Sequence, residues 1–470
     1  MTQTNTGTAS ATSIEINDVS PIPAGERHGK AWHLFTVWSS PNLEFATVFV
    51  GALAIGFGLN IWQGILAVVV GNGLAAITHG IFSTWGPEGG LPQMVLGRNA
   101  FGKSGNLIPS GLSTLVAGIG WFAVNTVSGT LALSVLTNLD KVAALLIVIV
   151  AQVLIAFVGH NLIQVWERYT SYFLAAVWAV VLVIVFTNSA NWNVVAAAPG
   201  ADFPWAGFTL TAGAAYGYTA GWTPFASDYT RYLPASVNKR SLGLAAGLGN
   251  FFSTTVLMTV GVLAFNSLGK GSVFGDNPTH DFTNVLGGFA PITLLAITIG
   301  SISANVLNVY SGAMSFLAMG IKIGFKTRRA IMVALAGVLG GITAYLGVSD
   351  PHVGKELENF LLVVSYWVAP WIAIVLVERL MSGGKDATAR ALAPKHTFAG
   401  PVAFVVATAF SIWAFASQVD YHGFISYNIH HFILDSGDVV DVPDLAALVG
   451  FVLAGGLYYV LAKLEGSAKK

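Results

Sequence analysis

Long apolar runs separated by short polar loops dominate the chain from residue 34 to residue 463. A helix needs about 20 predominantly apolar residues to cross the hydrocarbon core of a bilayer. Runs of this kind predict twelve membrane-spanning helices, numbered here as spans 1 to 12. They lie near residues 34–58, 60–83, 109–136, 141–159, 170–187, 207–226, 242–265, 290–318, 329–347, 357–378, 398–416 and 442–463. The pattern therefore predicts an all-α polytopic membrane protein with about 12 transmembrane helices.

The composition indicates that most of the protein surface faces the lipid bilayer, which is therefore the main expected partner. Of the 470 residues, 54% are hydrophobic and 9% are charged, whereas soluble domains carry about 25% charged residues. The net charge is zero, which gives no electrostatic reason to expect a nucleic-acid partner. The absence of cysteine excludes disulfides and thiol chemistry. The sequence gives no sign of an obligatory protein partner.

The two ends of the chain are polar. Residues 1–30 contain no apolar stretch of signal-peptide length, so we expect a disordered cytoplasmic tail there, and residues 465–470 form a second short tail. With the N-terminus in the cytoplasm, 19 of the 22 Lys and Arg residues fall in internal loops and 3 fall outside. Positive residues favour the cytoplasmic side. We therefore expect a multi-pass protein of the plasma or inner membrane with both termini inside.

Two spans are interrupted by proline at matching places. Span 1 contains Pro41, with Ser39, Ser40 and Asn42 available to bond the carbonyls that a proline frees, and span 6 contains Pro224 soon after a glycine. Spans 1 and 6 are the first members of two five-helix halves. In transporters built from inverted repeats, broken helices at corresponding positions mark the binding site. The alternative is that both prolines are ordinary kinks of membrane helices.

Glu44 is the acidic residue that lies well inside an apolar span. An ionised carboxylate at that depth costs about 2.5–3.5 kcal/mol or more, so it should face a cavity or a partner. It is a candidate to bind a substrate, to carry a coupling proton, or to do both. The structural alternative is a carboxylate that stabilises a broken helix. Asp228, at the cytoplasmic end of span 6, is better interpreted as a partner of Arg231 that anchors the helix end.

Span 3 combines an aromatic ring with an amide. Trp121 and Asn125 are four residues apart and share a helix face, which suits a flat heterocycle that stacks on one and hydrogen-bonds the other. Most membrane tryptophans are interfacial anchors, but Trp121 lies in the middle of its span. Trp222 is also internal and is a candidate for the opposite face of the ring.

Span 8 carries an unusual set of polar side chains, which are Ser301, Ser303, Asn305, Asn308 and Ser311. Their oxygens suit a hard cation such as sodium, or alternatively they hold helices together through hydrogen bonds. The sequence contains no phosphate-binding loop of the Gly-x-x-x-x-Gly-Lys-Ser/Thr type. It also offers no constellation of a nucleophile with a base, so neither an enzyme nor a cofactor is expected.

Together these segments resemble the nucleobase–cation symporter family, in particular its purine–cytosine permease branch. The resemblance covers roughly residues 25–465 and is carried by Trp38–Glu44, Gly120–Asn125, Gly221–Trp222, Ser227–Arg231, Asn305–Ser311, Asn359–Leu362 and Ala369–Pro370. It implies the inverted-repeat (5+5) fold of sodium-coupled amino-acid transporters plus two C-terminal helices. The repeats would span 31–187 and 207–378, with the two appended helices in 398–464.

The resemblance also implies the substrate contacts. A heterocycle would stack between Trp121 and Trp222, next to Gly221, with Asn125 and Asn308 as amide partners and Asn305 close by. The polar residue of span 1 falls on Glu44, where the hydantoin-carrying relative has a neutral amide. A carboxylate at this position suggests a substrate with adjacent N–H donors, such as cytosine or an aminated purine.

The cation position departs from the family pattern. The resemblance places sodium between the carbonyls of Ser40 and Leu43 and two hydroxyls of span 8, and these two positions are Ile302 and Ser303. One hydroxyl is therefore missing, and Ser301 is a candidate replacement. Proton coupling through Glu44 is the alternative.

The sequence thus predicts a secondary active symporter that imports a nucleobase-like heterocycle with H⁺ or Na⁺ by alternating access. A vitamin B6 or allantoin/hydantoin-type carrier of the same fold is an alternative, because the same stacking arrangement accepts other flat polar rings. A channel or a membrane sensor without transport activity is a further alternative from another class.

Overall fold

The computed structural model describes residues 19–158, 160–193, 203–273, 275, 277–320, 331, 334–350, 353–418, 421–425 and 443–468. Across these ranges the regular structure is helical apart from two short strands, β1 (Ser417–Gln418) and β2 (Tyr421–His422). They pair antiparallel, with Ser417 opposite His422 and Gln418 opposite Tyr421. The prediction of an all-α membrane fold is confirmed. Residues 1–18 and 469–470 of the predicted tails and the start of span 9 lie outside the described residues.

The helices follow the predicted spans. The first half contains α1 (His33–Ser39), α2 (Phe45–Gly56), α3 (Ile61–Ser83), α4 (Gly86–Gly89), α5 (Gln93–Leu96), α6 (Arg98–Gly105), α7 (Leu107–Leu115), α8 (Phe122–Thr137), α9 (Lys141–Val158) and α10 (His160–Thr187). The second half contains α11 (Trp205–Ala220), α12 (Ala226–Thr230), α13 (Lys239–Leu268), α14 (Lys270–Val273), α15 (Pro278–Asn284), α16 (Ala290–Ala318), α17 (Gly341–Ser349) and α18 (Val353–Ser382). The last segment contains α19 (Ala387–Leu392), α20 (Ala399–Phe415) and α21 (Ala446–Ala468).

Seven helical segments in the described residues are long and apolar enough to cross a membrane. They are Ile61–Gly89, Leu107–Thr137, Tyr169–Thr187, Lys239–Leu268, Gly287–Ala318, Leu357–Ser382 and Ala446–Gly466. Shorter apolar helices occupy spans 1, 4, 9 and 11, at Phe45–Gly56, Lys141–Ile155, Ala336–Ser349 and Ala399–Phe415. Span 6 is represented by α11. The total of twelve membrane crossings and the repeat boundaries stay predictions.

The two helices of the C-terminal segment pack together and against one neighbour. Helices α20 and α21 contact each other along their length, and both contact α18 of span 10. In the rest of the bundle, α3 packs along α11 and α13, and α16 packs along α8. Small residues allow α2 and α13 to approach very closely, because a Cβ atom added at Gly51 or Gly261 would overlap the backbone of the facing helix at Met258 or Val48.

Candidate substrate site

The break in span 1 places Glu44 at the start of a helix. After α1, residues Ser40–Asn42 form a 3₁₀ turn around Pro41, and Glu44 has extended backbone angles (φ −145°, ψ 170°) before α2 begins. The Asn42 side chain donates to the carbonyl oxygen of Trp38 at 2.8 Å, and Ser39 donates to that of Phe35 at 2.7 Å. Polar side chains thus satisfy carbonyls near the interruption. The predicted break in span 1 is confirmed.

The break in span 6 faces the break in span 1. Helix α11 ends at Ala220, a 3₁₀ turn covers Thr223–Phe225, and Trp222 lies in between. The indole nitrogen of Trp222 donates to Asn42 Oδ1 at 3.0 Å. One turn earlier, the Tyr218 hydroxyl lies 2.8 Å from Glu44 Oε1. The two interrupted spans are therefore joined by hydrogen bonds between side chains at and beside their broken segments.

A π-helical turn precedes the aromatic side chain of span 3. Residues Val116–Trp121 form this turn between α7 and α8, and such turns are frequent at functional sites. The ring of Trp121 packs edge-on against Tyr218 and Phe360, with ring centroids 5.1 Å apart in both pairs. Trp121 is therefore held between span 6 and span 10 and is largely buried.

These elements enclose a small internal cavity of about 10 Å³, enough for one water molecule. Its lining residues are Glu44, Trp121, Asn125, Tyr218, Gly221, Trp222, Phe225 and Asn308. This cavity is lined by six of the seven residues that were predicted to contact a substrate. Because the space is so small, these side chains must move apart before a heterocycle can enter.

Two fully buried oxygen atoms of the cavity-lining residues have no hydrogen-bond partner within the described part of the chain. They are Glu44 Oε2 and Asn125 Oδ1, and both are buried. A buried acceptor without a partner costs about 1–3 kcal/mol. A ligand with N–H donors would satisfy both acceptors. The arrangement of indole rings and unsatisfied acceptors therefore matches a flat ring that carries N–H groups.

The chain is similar in sequence to known membrane permeases. The family model described as "permease for cytosine/purines, uracil, thiamine, allantoin" matches residues 21–434. The chain belongs to this permease family. It is 30% identical over 387 residues to the purine-cytosine permease FCY2 of Saccharomyces cerevisiae, covering 77% of this chain and 70% of that protein. It is 26% identical over 459 residues to YxlA of Bacillus subtilis, covering 96% of each.

The fold of the permease is shared with a solved structure. Mhp1, a nucleobase-cation-symport-1 family transporter in a closed conformation with bromovinylhydantoin bound, superposes with a TM-score of 0.72 at 19% identity. The match covers 97% of the permease and 96% of Mhp1. The predicted resemblance to the purine–cytosine permease branch and to this transporter fold is confirmed.

Asn305 has different surroundings from the other predicted contacts. Its amide nitrogen, which has two hydrogens to donate, lies 2.8 Å from the carbonyl oxygen of Phe122, 2.9 Å from Gln152 Oε1 and 3.1 Å from Thr126 Oγ1. Its oxygen accepts from Asn125 at 3.1 Å. The side chain thus joins spans 3, 4 and 8 and orients Asn125. Its contact with substrate stays a prediction, and the geometry favours a supporting role.

Each residue predicted for the cation position already contacts another part of the chain. The Ser40 carbonyl accepts from the Leu43 backbone at 3.1 Å, and the Leu43 carbonyl accepts from Trp178 at 2.9 Å. Ser303 Oγ accepts from Trp166 at 2.7 Å. Ser301 points elsewhere, because a Cβ atom at Gly129 of span 3 would lie 3.0 Å from its side chain. The geometry therefore does not bring Ser301 to Ser303.

Asp228 contacts the backbone of the loop between spans 2 and 3, and its predicted pairing with Arg231 stays a prediction. The carboxyl is buried and accepts from the backbone nitrogen of Gln93 at 2.9 Å. Arg231, three residues later, is fully buried as well. Both lie in the segment where α12 meets the loop between spans 2 and 3, away from the cavity.

A second, larger cavity of about 400 Å³ is lined by sequence neighbours of the first cavity's residues, among them Phe45, Gly120 and Val124. It extends between spans 3, 9 and 10 to Asp350, at the ends of the spans predicted to be external. Phe360 lines this cavity and also packs on Trp121. Phe360 and Trp121 therefore separate the larger cavity from the small one.

Two cavity-lining residues were not predicted from the sequence, Tyr218 and Phe225. Tyr218 lies four residues before Trp222, and this spacing would place them on one face of a continuous helix. A tyrosine in an apolar run is, however, common in membrane helices, so the spacing alone gave no distinct signal.

Proposed function

We propose that this permease is a secondary active transporter of a flat, nitrogen-rich heterocycle of nucleobase type, cytosine or a purine, driven by a cation. The observation that carries the proposal is the small cavity between the two broken spans. It combines the indoles of Trp121 and Trp222 with the unpartnered acceptors of Glu44 and Asn125. Stacking on an indole is tolerant of the ring, whereas the acceptors select rings that carry N–H donors.

The alternating-access mechanism follows from the position of this cavity. Transporters of this class bind substrate between discontinuous helices and open to each side in turn. The larger cavity reaches the predicted external side and stops at Phe360 and Trp121. Substrate would enter by this cavity, displace the packing of Trp121 on Tyr218 and Phe360, and stack in the enlarged inner cavity. The membrane would be the plasma or inner membrane, with both termini in the cytoplasm.

A count of hydrogen atoms supports the proton as the coupling ion. Three contacts form a continuous chain, from Glu44 to Tyr218 (2.8 Å), from Tyr218 to Thr47 (2.6 Å), and from Thr47 to the Asn42 carbonyl (2.7 Å). The two hydroxyls supply one hydrogen each. If Glu44 is ionised, one of the three short contacts has no hydrogen. A protonated Glu44 supplies the third one, by donating to Tyr218, which then donates to Thr47.

Substrate binding and proton binding would then meet at one side chain. Glu44 Oε1 belongs to the hydrogen-bonded chain, while Oε2 remains an acceptor in either protonation state and is available to a substrate N–H. Loading of both proton and substrate would complete the hydrogen bonds of a buried carboxyl group. This arrangement provides a physical link between the two loads of a symporter.

A thermal-shift screen of purified protein tests the substrate class. Cytosine, adenine, guanine and hypoxanthine are compared with uracil, allantoin, hydantoins and pyridoxine, which represent the rival carriers. Stabilisation by cytosine or a purine and not by pyridoxine or allantoin is expected, and the reverse order would replace the proposed substrate. Counterflow of radiolabelled base in proteoliposomes then separates a carrier from a channel or a sensor. A carrier gives a transient overshoot and the other two classes do not.

A further inference from the structure

Two tryptophans of span 5 hydrogen-bond two of the atoms that the family pattern assigns to sodium. Both lie on α10, and each uses its indole N–H as the donor. Trp178 donates to the Leu43 carbonyl at 2.9 Å, and Trp166 donates to Ser303 Oγ at 2.7 Å. One helix therefore contacts the break in span 1 and the polar face of span 8 at the predicted cation ligands.

The hydroxyl hydrogen of Ser303 is also used in a hydrogen bond. Ser303 Oγ lies 3.0 Å from Thr170 Oγ1, and Thr170 directs its own hydrogen to the Trp166 carbonyl at 2.9 Å. Ser303 must then be the donor in its contact with Thr170. The hydroxyl thus accepts one hydrogen bond and donates another, and no cation is needed to satisfy it.

The Leu43 carbonyl is crowded from a second direction. A Cβ atom added at Gly300 of span 8 would lie 2.9 Å from this oxygen and 3.5 Å from Glu44 Cβ. Span 8 backbone therefore packs against the break in span 1 beside this oxygen. An N–H hydrogen carries partial positive charge, so a cation on the same oxygen would be repelled by it.

One of the two hydroxyl positions of span 8 is apolar in this chain. Ile302 replaces the neighbouring hydroxyl, and it is buried in a cluster that includes Trp38, Trp222 and Phe225. Sodium is a hard cation that prefers several oxygen ligands. The donor set of this chain therefore does not fit sodium.

We infer that the indole N–H groups of Trp166 and Trp178 take the place of a coupling sodium ion and exclude sodium from this position. They tie spans 1 and 8 to span 5 with neutral hydrogen bonds, so these tryptophans are positioning residues. The inference rests on the proposed function only in naming this position a coupling site. The hydrogen bonds themselves hold whatever the substrate is.

The first test measures sodium binding without any substrate. The melting temperature of the purified permease is compared in NaCl and in KCl of equal concentration, because an ion that binds the folded state raises it. Equal values are expected, together with less than about a twofold difference in uptake between the two salts. A sodium-specific rise in melting temperature, or sodium-dependent uptake, would overturn the inference. This arm is independent of the substrate screen, whose failure would remove only the proposed function.

A second test is designed to restore sodium binding at the predicted cation position. The triple variant Trp166→Phe, Trp178→Phe, Ile302→Ser removes both N–H donors and restores the missing hydroxyl while it keeps aromatic packing. We expect this variant to melt higher in NaCl than in KCl. The matched control is Ile302→Ser with Trp205→Phe and Trp413→Phe, two exposed tryptophans, and it should show no difference between the salts.

The outcome of the second test is decisive in both directions. A triple variant that is still stabilised by substrate but shows no sodium response would refute the role of the indoles in excluding the ion. If the triple variant does not fold, the double variants Trp178→Phe, Ile302→Ser and Trp166→Phe, Ile302→Ser are measured in the same way. A control that responds to sodium like the triple variant would also contradict the inference.

Discussion

The Tyr218 hydroxyl lies 2.8 Å from Glu44 Oε1 and 2.6 Å from Thr47 Oγ1. One side chain of span 6 therefore hydrogen-bonds on both sides of the N-terminus of α2, just after the break in span 1. All three side chains are buried. A change in the protonation of Glu44 must then alter the hydrogen bonds of Tyr218. Through Tyr218 it also alters the contact between the two halves of the chain.

This contact predicts strong coupling between two substitutions. Residues in one buried hydrogen-bond network show interaction energies of about 0.5–3 kcal/mol in double-mutant cycles. We expect Glu44→Gln and Tyr218→Phe to be non-additive by an amount in this range when substrate affinity is measured for both single variants and the double variant. The control pairs Glu44→Gln with Thr211→Val, since Thr211 bonds the Gly207 carbonyl of its own helix at 2.8 Å. Additivity in the first cycle would argue against a shared network.

The stacking proposal predicts a loss of affinity on removal of either indole. Trp121→Ala and Trp222→Ala should each weaken binding of the heterocycle by about 1–3 kcal/mol, the range for stacking of bases on aromatic side chains. Trp222→Phe keeps a ring but loses the hydrogen bond to Asn42, so its effect isolates that bond. Trp413→Ala, on the exposed face of α20, serves as the control in a thermal-shift titration. Unchanged affinity in both cavity variants would refute the sandwich.

The two asparagines of span 8 should respond differently to truncation. Asn308 lines the cavity, so Asn308→Ala should lower substrate affinity by about 1–3 kcal/mol with little change in melting temperature without substrate. The Asn305 amide nitrogen lies within hydrogen-bonding distance of three acceptors in spans 3 and 4, so Asn305→Ala should mainly lower that melting temperature. The opposite pattern would show that Asn305 is the substrate amide and that Asn308 is structural.

Much of the architecture could be predicted because membrane insertion leaves a strong signal. Apolar runs predicted the helices, and the prolines of spans 1 and 6 predicted the breaks in them. The cavity residues Glu44, Trp121 and Trp222 stood out because polar and large aromatic side chains are costly or unusual in the middle of a span.

Other features depend on contacts between helices that are distant in sequence. The role of Asn305 in joining three spans requires the positions of Phe122 and Gln152, which no local pattern of span 8 reveals. Trp166 and Trp178 resemble ordinary membrane tryptophans in the sequence. Only the arrangement of span 5 beside Ser303 and Leu43 shows that their N–H groups reach predicted cation ligands.

The replacement Glu44→Gln tests the coupling mechanism most directly. A glutamine amide can donate to Tyr218 as a protonated carboxyl does, so the hydrogen-bonded chain to Thr47 and Asn42 is preserved. It cannot release that hydrogen. We therefore expect proteoliposomes to lose uptake driven by an inwardly directed proton gradient. Counterflow exchange of substrate should survive in part, because it needs no net proton movement.

Two further measurements make this result specific. Glu378→Gln removes another buried carboxyl group, one that pairs with Arg390 at the far end of α18, and its uptake should still follow the pH gradient. Proton movement itself is recorded with a pH-sensitive dye as substrate enters wild-type proteoliposomes, and this signal should be absent in Glu44→Gln. If Glu44→Gln keeps gradient-driven accumulation but accepts different bases, Glu44 recognises substrate and another group carries the proton. If accumulation and base preference are both normal, the carboxyl has a structural role, because neither the substrate nor the coupling ion then depends on it.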